Sequence, residues 1–427
     1  MRQVTRNRAR HRIVALTSLA LAIFLLAVAA PAFASFASPA PAGSSPVPAE
    51  ASSIAAASPT AEPDPPVLTC ALSRPSLVFG GTVTVTGALT PAAEGQEVLV
   101  TIGTSEAGRV YTDANGAYEL AFEPRRSGDV VASLAADRTV VSAPLALTVK
   151  PKVSVTHGAL IPYLDSRFVV KVAPSAYAGV VTVKVGHRGA VVGRYRARVR
   201  DGRAVLRFPL RGVEGFTLTF ALSADGGLAA RSYQTKVGVK TRTLSAGSSG
   251  PYVKGMLTGL QRLAIRIPGM GSTFSTRVKD SVMAFQKAYR LPRTYVFNAA
   301  CWRKLDGART IRPRYSRPAT HLEVDKTRQI LMVVKNGKVF GLIAVSTGAT
   351  GNTPEGSFRI QQKHPFTTSG YGGILVRTMG FVGNFAIHGY SPVPPYPASH
   401  GCVREPIWAC YWVYDQSFVG EALFIYR

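Results

Sequence analysis

The chain has 427 residues, 46% of them hydrophobic, which is material for three or four domains rather than one. Its 50 Lys and Arg against 23 Asp and Glu give a formal net charge of +27, a long-range and salt-sensitive attraction to anionic partners. Nucleic acid is the usual partner of such a charge, but the chain opens with an export-type segment and an exported protein rarely meets it; anionic surface polymers or lipid head groups are left.

The first twelve residues contain several Arg and no acid, and an uncharged apolar run follows from Ile13 to Ala34. Its end, Ala32-Phe33-Ala34, has the small-x-small form of a cleavage site. Residues 1–34 therefore read as a signal peptide or, if uncut, as a membrane anchor long enough to span a bilayer. Either reading puts the rest of the chain outside the cytoplasmic membrane, with membrane contact only through this segment. Residues 35–66 are nearly all Ala, Pro and Ser. Such a stretch has too little apolar bulk to offset its ordering entropy and reads as a disordered tether. Cys70 lies too far beyond the apolar run to be a lipidation site and reads as a strand-edge cysteine.

From 67 to 150 the texture changes to short alternating runs. Val83-Thr84-Val85 and Val98-Leu99-Val100-Thr101-Ile102 read as half-buried strands, and Asn115-Gly116 supplies a turn into Tyr118–Phe122. Evenly spaced strands predict a β-sandwich, and the segment resembles bacterial immunoglobulin-like wall modules. A second β module runs from 151 to 241, with Phe168–Val172 and Val181–Val185 as strands. In it, Arg194, Arg196, Arg198 and Arg200 fall on one face of a single run. An arginine face is usually only solvated; here it belongs to a larger excess, which suits anionic wall polymers as a partner and makes the two modules a basic stalk.

Residues 242–308 switch to helical period. Val253, Met256, Leu257, Leu260 and Ala264 share one face, Val278, Val282, Phe285 and Tyr289 another, and Asn298 caps a third short helix carrying Trp302 and Leu305. The plain reading is a three-helix spacer. The segment also resembles the type 1 peptidoglycan-binding domain through GSSGPYVKGMLTGLQRLAI and STRVKDSVMAFQKAYRLP, and departs from it at Met270-Gly271-Ser272 and Arg293-Thr294-Tyr295. A basic linker covers 309–319. The last domain, 320–427, opens as a β-meander, because Asn336-Gly337 between apolar runs is a strong hairpin signal. Trp408 to Tyr414 reads as one short helix.

The chemistry concentrates in IHGYSPVPPYPASHGCVREP, Ile387 to Pro406. Cys402 stands in a Gly-flanked turn, with His400 two residues before it, His388 fourteen before it and Arg404 two after it. A free thiol has a pKa of about 8.5, so acyl chemistry near neutral pH needs a base or cation beside it. Either histidine could serve. Two bland alternatives stand beside this one: a buried, inert cysteine, and a zinc site, for which Glu405 would be the nearest fourth ligand and would crowd three ligands into one turn.

SHGCVR preceded by IHG, together with TPEGSF at Thr353 to Phe358, resembles the signature of the L,D-transpeptidases of the YkuD type, cysteine acyltransferases that cross-link bacterial peptidoglycan. The resemblance covers about the last quarter of the chain and implies a mostly β catalytic domain with the nucleophile at the mouth of a cleft. It further implies residue roles. Cys402 is the nucleophile on a tetrapeptide stem, releasing D-Ala, and His388 is the general base and acid. The carbonyl of Gly389 orients that imidazole, and His400 and Gly401 shape a turn whose amides, with that of Cys402, face the oxyanion. Ser399 and Arg404 are substrate-side candidates. The fold class expected for the whole is thus mainly β and multi-domain: sandwich modules, a three-helix peptidoglycan-binding-like module and a C-terminal YkuD-like domain. No metal, nucleotide or flavin pattern appears, so no cofactor is expected, and the expected partners are peptidoglycan stem peptides and glycan. The expected place of action is extracytoplasmic, at the cell wall. Two other functions stay open: an L,D-carboxypeptidase hydrolysing the same bond, and a non-catalytic wall-binding scaffold. The sequence gives no ground to pair Cys402 with Cys410, or Cys70 with Cys301, which fall in different modules, and it leaves the disulfide state of Cys70, Cys301 and Cys410 open.

Overall fold

The computed structural model describes residues 64–427. The signal or anchor reading of 1–34 and nearly all of the tether reading of 35–66 lie outside the described residues. Among the described residues no helix is long and apolar enough to cross a membrane.

Residues 67–150 form two facing sheets. One carries Val67–Leu68, Val83–Thr90, Ala71–Leu72 and Ala117–Phe122; the other runs in the order Ser76–Val78, Leu145–Lys150, Gly128–Leu134, Glu97–Ile102, Ser105–Tyr111. The period-2 pattern decides which side chains enter, since Val83 and Val85 are fully buried while Thr84 and Thr86 face outward. The Asn115-Gly116 turn closes because Asp113 Oδ1 accepts from the amides of Asn115 (2.8 Å) and Ala117 (2.9 Å). Residues 152–239 form a second pair of sheets, of three and four strands, around Phe168 and Phe208, which stack at 4.6 Å. The two pairs are not beads on a string. The amide of Ala229 donates to Val149 O at 2.8 Å, and one continuous apolar core runs from Leu68 to Val239.

Three helices follow: α1 (Pro251–Arg262), α2 (Thr276–Ala288) and α3 (Ala299–Gly307). Asn298 caps α3 by accepting from the Cys301 amide, and Ser275 caps α2 by accepting from Val278. The structure departs here from the picture of a self-contained three-helix module. Met256, Leu260, Val282 and Phe285 share one core with Ile330, Met332, Val334 and Leu342 of the C-terminal domain. The chain after α1 also adds to the edge of that domain's sheet, with Leu342 N donating to Ala264 O at 2.8 Å and Arg266 N to Leu342 O at 2.9 Å. Helical periodicity identifies which face is apolar but not what covers it; the cover is a sheet face encoded some 60 residues downstream.

The C-terminal domain has two sheets. The larger runs Lys338–Ala344, Ile330–Lys335, His321–Asp325, Ala422–Tyr426, Gly356–Arg359, and the smaller runs Gln362–Thr368, Ile374–Val382, Phe385–Gly389, Val403–Glu405. The Asn336-Gly337 hairpin forms with both turn residues at positive φ (51° and 70°), as a primed turn requires. The unbroken apolar run Ile330–Val334 is buried on both faces. Ile330, Met332 and Val334 enter the helical core, while Leu331 and Val333 enter a second core with Met379, Phe381, Ile387 and Val403. Each such side chain, fully buried, contributes about 2 kcal/mol. A fourth helix, α4 (Ile407–Gln416), packs Ala409 and Val413 into the second core. It thereby fixes the strand pair that carries the candidate site.

Candidate active site

The strand Phe385–Gly389 lies parallel to Val403–Glu405, with His388 opposite Arg404 and Gly389 opposite Glu405. This pairing brings the IHG and SHGC segments together from opposite ends of a proline-rich loop. Cys402, His388, His400 and Arg404 line one cleft of about 690 Å³. Cys402 is partly exposed, with its Sγ 3.7 Å from Asn384 O, so it is not sealed from solvent.

The electrostatics of the pair are set mainly by burial. His388 is only 2% exposed, and desolvation pushes its imidazole down to about 4, against a smaller upward pull from its bond to Gly389 and a further push from the Arg404 charge. It is therefore neutral at pH 7. With the proton on Nδ1 it donates to Gly389 O at 3.3 Å, which leaves Nε2 as an acceptor. Burial likewise raises the Cys402 thiol, opposed by its bond with the Ala386 backbone and by Arg404. The resting cleft thus holds a thiol raised by burial and a neutral imidazole.

The turn itself is held by hydrogen bonds that run inward. Ser399 Oγ donates to Cys402 O at 2.5 Å and accepts from Gly401 N at 3.0 Å. Ser399 thus braces the turn from within, and the Gly401 amide donates to its hydroxyl. Thr353, the first residue of TPEGSF, donates its hydroxyl to Gly401 O at 2.6 Å and accepts from Gly348 N at 2.8 Å. Asn352 Nδ2 donates to His400 O at 2.9 Å. Gly401 itself sits at φ +135°, and a Cβ there would lie 2.5 Å from Phe385 Cε1, so only glycine fits without displacement. At Gly389 a Cβ would lie 2.4 Å from Cys410 Sγ.

The other expected residues fall on the rim. The His400 ring stacks on Tyr371 at 4.2 Å, beneath the tip of the hairpin joining Gln362–Thr368 to Ile374–Val382. The Arg404 guanidinium lies over the Tyr390 ring at 4.8 Å. Glu405 points away from the cleft, fully buried, where desolvation raises it to about 8. Among the described residues no three His, Cys, Asp or Glu are grouped to hold a metal ion, and all four cysteines are free.

Residues unnoticed in the sequence surround these. Asn352, Tyr371 and Tyr390 line the cleft, while Thr353, which opens TPEGSF, is buried behind the turn. The loop preceding the turn is gripped from outside the domain. Lys287 Nζ of α2 donates to Val345 O (2.8 Å) and Pro394 O (3.1 Å), Arg293 donates to Pro395 O (2.6 Å), and Tyr295 OH to Val393 O (3.4 Å).

Residues 319–425 match the family model of the YkuD L,D-transpeptidase catalytic domain. Among solved structures, the chain is 32% identical to the L,D-transpeptidase from Xylanimonas cellulosilytica, covering 44% of this chain and 100% of that one, with a TM-score of 0.41. It is 22% identical to the L,D-transpeptidase from Stackebrandtia nassauensis (44% and 98% covered, TM-score 0.30). With the L,D-transpeptidase from Mycobacterium smegmatis it shares 12% identity (65% and 100% covered, TM-score 0.25). No curated protein matches the chain. The C-terminal domain is of the L,D-transpeptidase catalytic class, as the sequence motifs implied. The match places a YkuD-type L,D-transpeptidase catalytic domain at residues 319–425, about the last quarter of the chain.

Proposed function

We propose that the protein is a peptidoglycan L,D-transpeptidase working through a thioester on Cys402. The observation that carries this is one cleft holding a partly exposed thiol and a buried, neutral imidazole, at the motif positions of the family.

A tetrapeptide stem enters the cleft, and His388 takes the thiol proton as Sγ attacks the carbonyl before the terminal D-Ala. The developing oxyanion is met by the amides of His400 and Cys402, since that of Gly401 serves the turn; one such donor is worth about 3 kcal/mol. Imidazolium then returns the proton to the leaving D-Ala amine. In the second half, an amine of another stem attacks the thioester carbonyl, the C–N bond forms, the C–S bond breaks and the proton passes back through His388 to the thiolate. The product is a 3-3 cross-link. Arg404, at the cleft rim, pairs with a substrate carboxylate.

In the second β module, Lys184, Arg194, Arg196, Arg198 and Lys236 rise from the outer face of the four-stranded sheet, and none of them is in an ion pair. This face holds the enzyme to anionic wall polymers, and the helical segment contributes glycan contacts. Wall retention that did not weaken with salt would contradict the first of these.

The test of the activity is mass spectrometry of tetrapeptide muropeptides incubated with the full chain and with Cys402→Ala. Cross-linked dimers plus free D-Ala, absent from the variant, are expected. Bare tripeptides alone would make the protein a carboxypeptidase, and no change in either sample would leave a scaffold.

A further inference from the structure

Acyl transfer between two stems requires two peptides at one sulfur, and the cleft around Cys402 accounts for one of them. A second groove, of about 570 Å³, lies between α2, α4 and the loop 391–393. Its walls include Lys279, Asp280, Tyr295, Tyr390, Trp408 and Tyr411. We propose that this groove seats the amine-bearing acceptor peptide, so that the helical segment completes the acceptor side of the site; this rests on the acyl-transfer reading above.

Position is the first argument. Tyr390 lines both the groove and the Cys402 cleft. Its ring meets the His388 ring edge-on at 6.1 Å, with the Arg404 guanidinium over its face at 4.8 Å. A peptide lying in the groove and passing Tyr390 arrives beside the imidazole that must accept its amine proton. The donor is left the Cys402 cleft with Tyr371 and His400 on its wall, and the groove gives the acceptor a separate approach past Tyr390.

Chemistry is the second. The aromatic surfaces of Tyr295, Trp408 and Tyr411 suit the aliphatic stretches of a stem peptide. Arg277 is exposed at the rim, and Lys279 Nζ sits 4.3 Å above the Tyr295 ring, so two cations are available for the carboxylate of a peptide terminus. The one acid among the lining residues, Asp280, is engaged by Trp408 Nε1 at 2.9 Å. That bond spans from α2 to α4 and fixes the width of the groove. A cationic, aromatic-walled trough fits a carboxylate-bearing peptide better than an uncharged sugar.

The groove is built across a domain junction, its α2 wall coming from the helical segment and its opposite wall from the transpeptidase domain. The loop between them is pinned by Tyr295 OH on Val393 O. The acceptor side therefore depends on residues outside the segment that the family model matches, 319–425.

The experiment uses the full chain, the variants Arg277→Glu, Lys279→Glu and Tyr411→Ala, and a tetrapeptide muropeptide as donor. The acceptor is either the same muropeptide or methylamine, which is too small to need a groove. Acylation is read as the mass added to Cys402, and transfer as product against acceptor concentration. The expected result is that each variant needs at least tenfold more muropeptide acceptor for half-maximal transfer, hydrolysis rising in step. Acylation and transfer to methylamine should stay within twofold of the parent. An unchanged acceptor dependence, or acylation falling as far as transfer does, would overturn the assignment. Failure of the parent chain to acylate at all would overturn the catalytic reading instead.

Discussion

Two halves of one loop are held in different ways. Residues 398–402, which end in the candidate nucleophile, are braced within the transpeptidase domain by Thr347, Asn352, Thr353 and Ser399. Residues 393–395 are gripped by Lys287, Arg293 and Tyr295, which belong to the helical segment. The difference separates two jobs. The geometry of the sulfur is set locally, whereas one wall of the second groove is set by a neighbour, so damage to the first should destroy chemistry and damage to the second should only misplace the acceptor.

The sharpest break is at Gly401. A Gly401→Ala side chain meets Phe385 at an unfavourable φ, and the turn must move; acylation should fall about 100-fold or more, the scale of losing one oxyanion donor, as measured by the rate of mass gain at Cys402. Thr353→Val comes next. It removes a buried hydroxyl that both donates to Gly401 O and accepts from Gly348 N, so stability should drop by about 1–3 kcal/mol in denaturant unfolding, with acylation slowed more than donor binding.

Lys287→Met tests the other half. It should raise the acceptor concentration needed for half-maximal transfer several-fold while leaving acylation nearly intact, the reverse of the pattern for Thr353. It also carries a pH signature. Burial lowers the Lys287 ammonium from 10.5 to about 7, so between those values the unfolded chain holds a proton that the folded one lacks, and stability rises with pH. The variant should flatten that rise in thermal unfolding followed from pH 7 to 10; an unchanged slope would show that Lys287 is not the titrating group. The smallest effect expected is on the acid side of the reaction. Because His388 is neutral down to about pH 4, the acylation rate should hardly change between pH 5.5 and 7.5, whereas an ordinary histidine would impose a tenfold loss over that span.

How far this was legible in the sequence follows the same division. The IHG and SHGC segments, TPEGSF, the Asn336-Gly337 hairpin and the Asn298 cap are local patterns, and each forms where residue chemistry puts it. The bracing of Gly401 by Thr353 spans 48 positions and the Lys287 to Pro394 bond spans 107. Neither has a periodicity to betray it; in a helical pattern Lys287 reads as a solvated lysine. The burial of one sheet face by α2 was hidden for the same reason, since Ile330–Val334 is equally apolar on both faces. Nor does the sequence show that a short serine side chain, Ser399, competes for the Gly401 amide inside the turn.

The most direct measurement is peptide-level mass spectrometry of the full chain, quenched within seconds of mixing with a tetrapeptide muropeptide. A stem lacking its last residue, attached at Cys402 and missing when His388 is replaced by Gln, is the predicted result. A stem attached elsewhere, or turnover that persists in Cys402→Ala, would contradict it.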